Sequence, residues 1–147
     1  MHIFLEEYAR VLLVLHGLAA VVLIGAVAHV AWRAVRGTLT ARNLIVPWLL
    51  WSYVVTFISG VLIYPAYRYY VRALYFEPQM RPVNFYFELK EHLSSLGLAL
   101  LLAYWLSARS GEEPPVNRFR RVAAVTLFVI VAYSYVASLV LNNLKGL

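Results

Sequence analysis

The sequence predicts an all-α integral membrane protein, a four-helix up-and-down bundle with its N and C termini on the outer side. Three observations predict it. Four stretches, 11–32, 43–67, 93–108 and 122–144, contain no Asp, Glu, Lys or Arg. The 147 residues are 63% hydrophobic and only 14% charged, where a soluble domain carries roughly a quarter charged residues. The segments joining the stretches are short, which favours antiparallel neighbours. A helix crosses the hydrocarbon core in roughly twenty residues, so four spans fill one transmembrane domain, 1–147.

Span 1 is expected at about 5–35. Gly17, Ala20, Gly25 and Ala28 give it small positions for close helix packing. After a short loop, Asn43 serves as a cap for span 2, at about 44–66, and Pro47 falls in its first turn. Trp48 and Trp51 suit the headgroup region. Span 2 continues to about 76 as an amphipathic interfacial segment rich in Tyr and Arg, with a kink expected at Pro65. Pro78, Arg81 and Pro82 mark a turn, and Asn84 is placed to cap span 3, at about 85–108. The uncharged run of span 3, Leu93 to Ala108, is short for a 30 Å core. Bilayer thinning resolves this, or burial of the preceding turn, Leu89 to His92, against protein. Span 4, about 117–141, follows the breaker from Gly111 to Pro115. Arg118, Arg120 and Arg121 in its first turn oppose the helix dipole, so topology rather than helix stability accounts for them.

The net charge is +6, and its placement points to lipid rather than nucleic acid. The loops after spans 1 and 3 hold Arg33, Arg36, Arg42, Arg109, Arg118, Arg120 and Arg121 against Glu112 and Glu113. The positive-inside rule puts those loops in the cytoplasm, and a basic face there suits anionic headgroups. A bacterial inner (plasma) membrane is the expected location. The first residues lack a basic n-region and a cleavage site, so no signal peptide is expected there. Cysteine is absent, which excludes disulfides, thiolate metal sites, iron–sulfur ligation and c-type haem attachment. No phosphate loop, nucleophile–base set or nucleic-acid motif occurs. A non-catalytic electron-transfer or accessory subunit fits better than an enzyme.

Histidine is then the residue left to hold a redox group. His16 and His92 each lie seventeen residues before an arginine, Arg33 and Arg109, that ends a span. Both therefore sit about 25 Å from the same membrane face. Ionisable groups inside a bilayer are costly and point to function. Two imidazoles at one depth on different helices suit a bis-histidine b-type haem near the outer face. Ser59 and Gly60 on span 2, Ala137 and Ser138 on span 4, Ala19 and Ala20 on span 1, and Ser95 and Ala99 on span 3 offer room around it. Equally, such small residues serve helix packing alone. Arg68 and Arg72 are the expected propionate partners, with Arg10 and Lys90 secondary. The alternative for the two arginines is an ion-pair network with Glu88 and Glu91. A divalent metal (zinc, iron or copper) held by His16, His92, Glu88 and Glu91 is a second site reading. His29, closer to the cytoplasmic edge, faces elsewhere on span 1, and His2 is terminal. The tyrosines of 64–75 fit an interfacial belt.

The four-span layout, His16 and the stretch Phe87-Glu88-Leu89-Lys90-Glu91-His92, preceded by Tyr64-Pro65-Ala66-Tyr67, resemble the small four-helix membrane cytochromes b and, more loosely, CopD-like membrane proteins. The resemblance implies haem b and exchange of electrons with a quinol or a larger respiratory or redox complex. The second histidine pair of two-haem cytochromes is missing. A cofactor-free structural or assembly subunit is the competing expectation.

Overall fold

The computed structural model describes residues 6–38, 45–76, 78, 81–107, 109 and 113–145. Four long helices fill it: α1 (Ala9–Val35), α2 (Ile45–Tyr67), α3 (Arg81–Ser107) and α4 (Pro114–Lys145). No strand occurs among the described residues. A short 3-10 turn, Glu6–Tyr8, precedes α1. The helix α2 passes through Pro65 and then widens into the π-helical segment Arg68–Phe76. Pro65 has no N–H to give the carbonyl four residues back, and that local loss of a ladder bond precedes the widening. The expected Asn43 cap, the Gly111 breaker and His2 lie outside the described residues.

Two boundaries differ from expectation. Because α3 begins at Arg81, Asn84 lies inside the helix and does not cap it. Its Nδ2 donates instead to Glu88 Oε1 at 3.3 Å. Pro82 belongs to the first turn, where a missing N–H costs nothing. Likewise α4 starts at Pro114, ahead of the expected 117, and runs past 141 to Lys145.

Among the described residues three helices are long and apolar enough to cross a membrane: α1, α2 with its extension to Leu74, and α4 as far as Leu141. The 27 residues of α3 match α1 in length, about 40 Å of helix. However, Glu88, Lys90 and Glu91 leave too short an apolar run behind them. The outside of the molecule is oily: Val14, Leu18, Val22, Trp48, Trp51, Val122 and Val129 are exposed, while Ser52, Ser59 and Arg120 are buried. A protein in water shows the reverse bias. This surface belongs in a lipid bilayer.

The helices run antiparallel to their neighbours. Near the end of α2, Tyr67 stacks on Phe87 near the start of α3, while Tyr53, early in α2, donates to the Ser94 carbonyl further along α3 at 2.8 Å. Gly97 makes room for that Tyr53 hydroxyl, which a Cβ there would strike. The main core lies in one half of the bundle only. It joins Leu23, Val27 and Val30 of α1, Leu49 and Tyr53 of α2, Leu101 and Tyr104 of α3, and Ala124, Leu127 and Val131 of α4. In the other half just Val71, Phe87 and Leu141 form a buried cluster, with Tyr64, Tyr67 and Val83 against it.

Two devices close the well-packed end. Gly37, with φ of 70°, follows α1, and its N–H and that of Thr38 bond back to the Ala34 and Arg33 carbonyls at 3.2 and 2.9 Å. Only a residue tolerant of the left-handed region suits that helix stop. Arg120 is 3% exposed. Its guanidinium bonds to the Ser107 carbonyl at the end of α3 and to Asn117 Oδ1 at 3.1 Å. A cation at the negative end of α3 is favourable. That contact is a structural reason for one of the three arginines at the start of α4.

Candidate functional site

A cavity of about 590 Å³ opens among all four helices in the thinly packed half. Gly17 and Ala20 on α1, Gly60 on α2, Ser94 on α3, and Ser134 and Ser138 on α4 line it. Small side chains on all four helices leave space that larger ones would fill. Leu23, Tyr53, Phe57 and Val131 form its floor, at the top of the main core. At the other end the Phe87 ring lies 4.8 Å from Tyr67 at 15° and 6.5 Å from Tyr64 at 5°. Lys90 and Glu91 share that end. The size and the mostly apolar wall with a few polar groups are those of a small-molecule site.

His16 is the ordered polar anchor of this space. Its Nδ1 lies 2.9 Å from the Thr56 carbonyl and 3.1 Å from Ser59 Oγ. A carbonyl only accepts, so in the neutral ring Nδ1 carries the hydrogen and donates. Ser59 commits its own hydrogen to the Val55 carbonyl at 2.7 Å and so meets the ring as an acceptor. Nε2 is left with a lone pair and no hydrogen bond among the described residues. Gly60 is what lets the imidazole lie against α2, since a Cβ there would sit 3.2 Å from His16 Cε1. Ser59 and Gly60, matched to His16 by depth in the sequence, thus hold its ring.

The structure does not bring His92 to the cavity wall. His92 is exposed, and its Nδ1 donates to the Glu88 carbonyl one turn back at 2.7 Å. At 100° per residue, Lys90 and His92 point about 160° apart. The turn from Leu89 to His92 does face protein, but through Lys90 and Glu91. Ser95 also lines the cavity, and its hydroxyl donates to the Glu91 carbonyl at 3.2 Å.

Arg72 pairs with Glu88 Oε1, which Asn84 also reaches. That is the ion-pair alternative for this arginine, and it engages the group expected to meet a propionate. Arg68 and Arg10 are exposed. Among the described residues no three His, Asp or Glu side chains stand where they could hold a metal ion. The four-residue divalent site therefore has no counterpart: Glu88 is tied to Arg72, and His92 points away. His29 is exposed on a separate, shallow groove with Gly25, Ile45 and Trp48, on a different side of α1 from His16, as its spacing predicted.

Comparison with known proteins finds no family model, no curated protein and no solved structure that matches this chain. The site is therefore read from its own chemistry.

Sequence reasoning missed the aromatic wall and the position of Lys90 within it. Both had a signal. Tyr64 and Tyr67, like Phe87 and Lys90, are three residues apart and share a helix face. The Lys90 Nζ indeed lies 5.5 Å from the Phe87 ring centroid. Reading the tyrosines as a generic interfacial belt concealed it.

Proposed function

We propose that this membrane protein holds a single b-type haem in the four-helix cavity, with His16 Nε2 as the protein's iron ligand. It serves as a non-catalytic electron-transfer subunit that exchanges electrons with a quinol or a larger redox complex. The observation that carries this reading is the His16–Thr56 hydrogen bond of 2.9 Å. A ligating histidine characteristically donates its other ring N–H to a carbonyl or carboxylate, which fixes the tautomer and the ring plane. One proximal histidine is enough for a haem iron. Haem bound there supplies one-electron chemistry. The protein's part is to aim Nε2, exclude bulk water and give the macrocycle an apolar wall.

His92 faces away from the cavity, so the reading takes one protein ligand and not two. A four-span topology accompanies it: α3 completes the bundle, the arginine-rich loops lie inside, and both termini lie outside. The charge placement supports that orientation. The test is a reduced-minus-oxidised spectrum of the protein purified from haem-replete cells. A high-spin b-type spectrum is expected. A blank spectrum from folded protein would overturn the haem reading in favour of a cofactor-free assembly subunit.

A further inference from the structure

The cavity has chemical polarity along its length, and one residue defines it. Its lining on α2 runs from Tyr53 to Tyr67, about 20 Å of helix. The Tyr53 end is closed by apolar core, whereas the Tyr67 end holds Lys90. Lys90 is half-buried at the cavity wall, and its ammonium rests over the Phe87 ring. It makes no hydrogen bond and no ion pair among the described residues. Glu91, its neighbour in sequence, also lines the cavity, but consecutive residues on a helix do not face each other, and no ion pair joins the two. Glu88 is taken by Arg72. Ser94 and Ser138 turn their hydroxyl hydrogens to carbonyls four residues back, both at 2.8 Å. Ser134, on α4, has a buried hydroxyl with no hydrogen-bond partner among the described residues. A cation partly withdrawn from solvent without a hydrogen-bond acceptor is costly, and an anion supplied by an occupant relieves that cost.

We infer that Lys90 is the receptor for a carboxylate carried on an apolar body, the acidic head lying at Lys90 and the body extending towards Leu23 and Phe57. Ser134 adds a hydroxyl donor on the facing wall. Two sources share this chemistry: a propionate of haem, and the head of a long-chain fatty acid taken from the bilayer. The inference uses the same cavity as the haem reading but does not need iron, so the two can fail separately.

The experiment compares acids with their esters on detergent-solubilised full-length protein. Haem is set against its dimethyl ester by absorbance titration. A bromine-substituted C18 fatty acid is set against its methyl ester by quenching of protein fluorescence, with empty micelles as the blank. In at least one pair the acid should bind about tenfold tighter or better, as for a hydrogen bond to a charged group. Lys90→Gln should abolish that preference while sparing ester binding, and Lys90→Arg should keep it. Glu91→Gln, by removing a competing negative charge, should strengthen acid binding a few-fold. A haem-only preference assigns the head to a propionate. A fatty-acid preference with no haem binding retains Lys90 and discards haem. Equal binding of acid and ester in both pairs overturns the inference, as does a preference that survives Lys90→Gln. Should Lys90→Gln not fold, the wild-type and Lys90→Arg comparisons still decide it.

Discussion

The two halves of this bundle are built from the same four helices and are packed to opposite ends. At the Arg120 end, Leu101 and Leu127 are almost fully enclosed, Tyr104 is 2% exposed, and α1 stops on a glycine. At the His16 end a chamber of about 590 Å³ separates the helices. In a bilayer, lipid is as apolar as leucine, so helices associate through close packing and hydrogen bonds rather than hydrophobic burial. The packed half therefore holds the fold together. The hollow half is free to carry groups that packing alone does not call for: an oriented imidazole and, among the described residues, a lysine with no hydrogen bond and a serine with an unused hydroxyl.

The largest stability effect belongs to the packed half. Leu101→Ala should cost about 2–4 kcal/mol, since the void left there has nothing to fill it. Ile63→Ala, on a side chain that already borders open space, should cost less than about 1 kcal/mol because few contacts are lost. Unfolding in mixed sodium dodecyl sulfate micelles measures both, and equal costs would erase the distinction between the halves. Next comes Arg120→Ala, which removes a buried charge from the Ser107 carbonyl and Asn117. A loss of about 2 kcal/mol is expected, against less than about 0.5 kcal/mol for exposed Arg118→Ala. If the two cost the same, topology alone explains the arginine cluster.

The smallest stability effect should come with a visible change at the site. Gly60→Ala puts a methyl 3.2 Å from His16 Cε1, and the ring must give by a few tenths of an ångström. A stability change below about 1 kcal/mol is expected, together with an altered haem spectrum if the proposed haem is held by His16. An unaltered spectrum would show that the ring plane is not held by α2.

Helices and their rough limits were legible because charge-free runs report membrane spans without any knowledge of packing. Depth is legible too: counting along the spans sets Ser59 and Gly60 level with His16, and both touch its ring. Rotation is not. The third helix is the weakest case, because Glu88, Lys90, Glu91, His92, Ser94 and Ser95 distribute polar groups around it, and no single apolar stripe marks the inward face. Hence the polar side chains it turns to the cavity are Lys90, Glu91, Ser94 and Ser95 and not His92. Asn84 has the look of a cap for a related reason: Pro82 resembles a breaker, but it stands in the first turn of α3.

His16→Ala and His92→Ala, purified side by side and examined by reduced-minus-oxidised spectroscopy, separate the hollow half's two histidines. With His16 as the iron ligand and His92 turned away, His16→Ala loses or grossly alters the b-type spectrum and His92→Ala keeps the wild-type one. A normal spectrum in His16→Ala, or its loss in His92→Ala from protein of unchanged stability, would contradict that assignment.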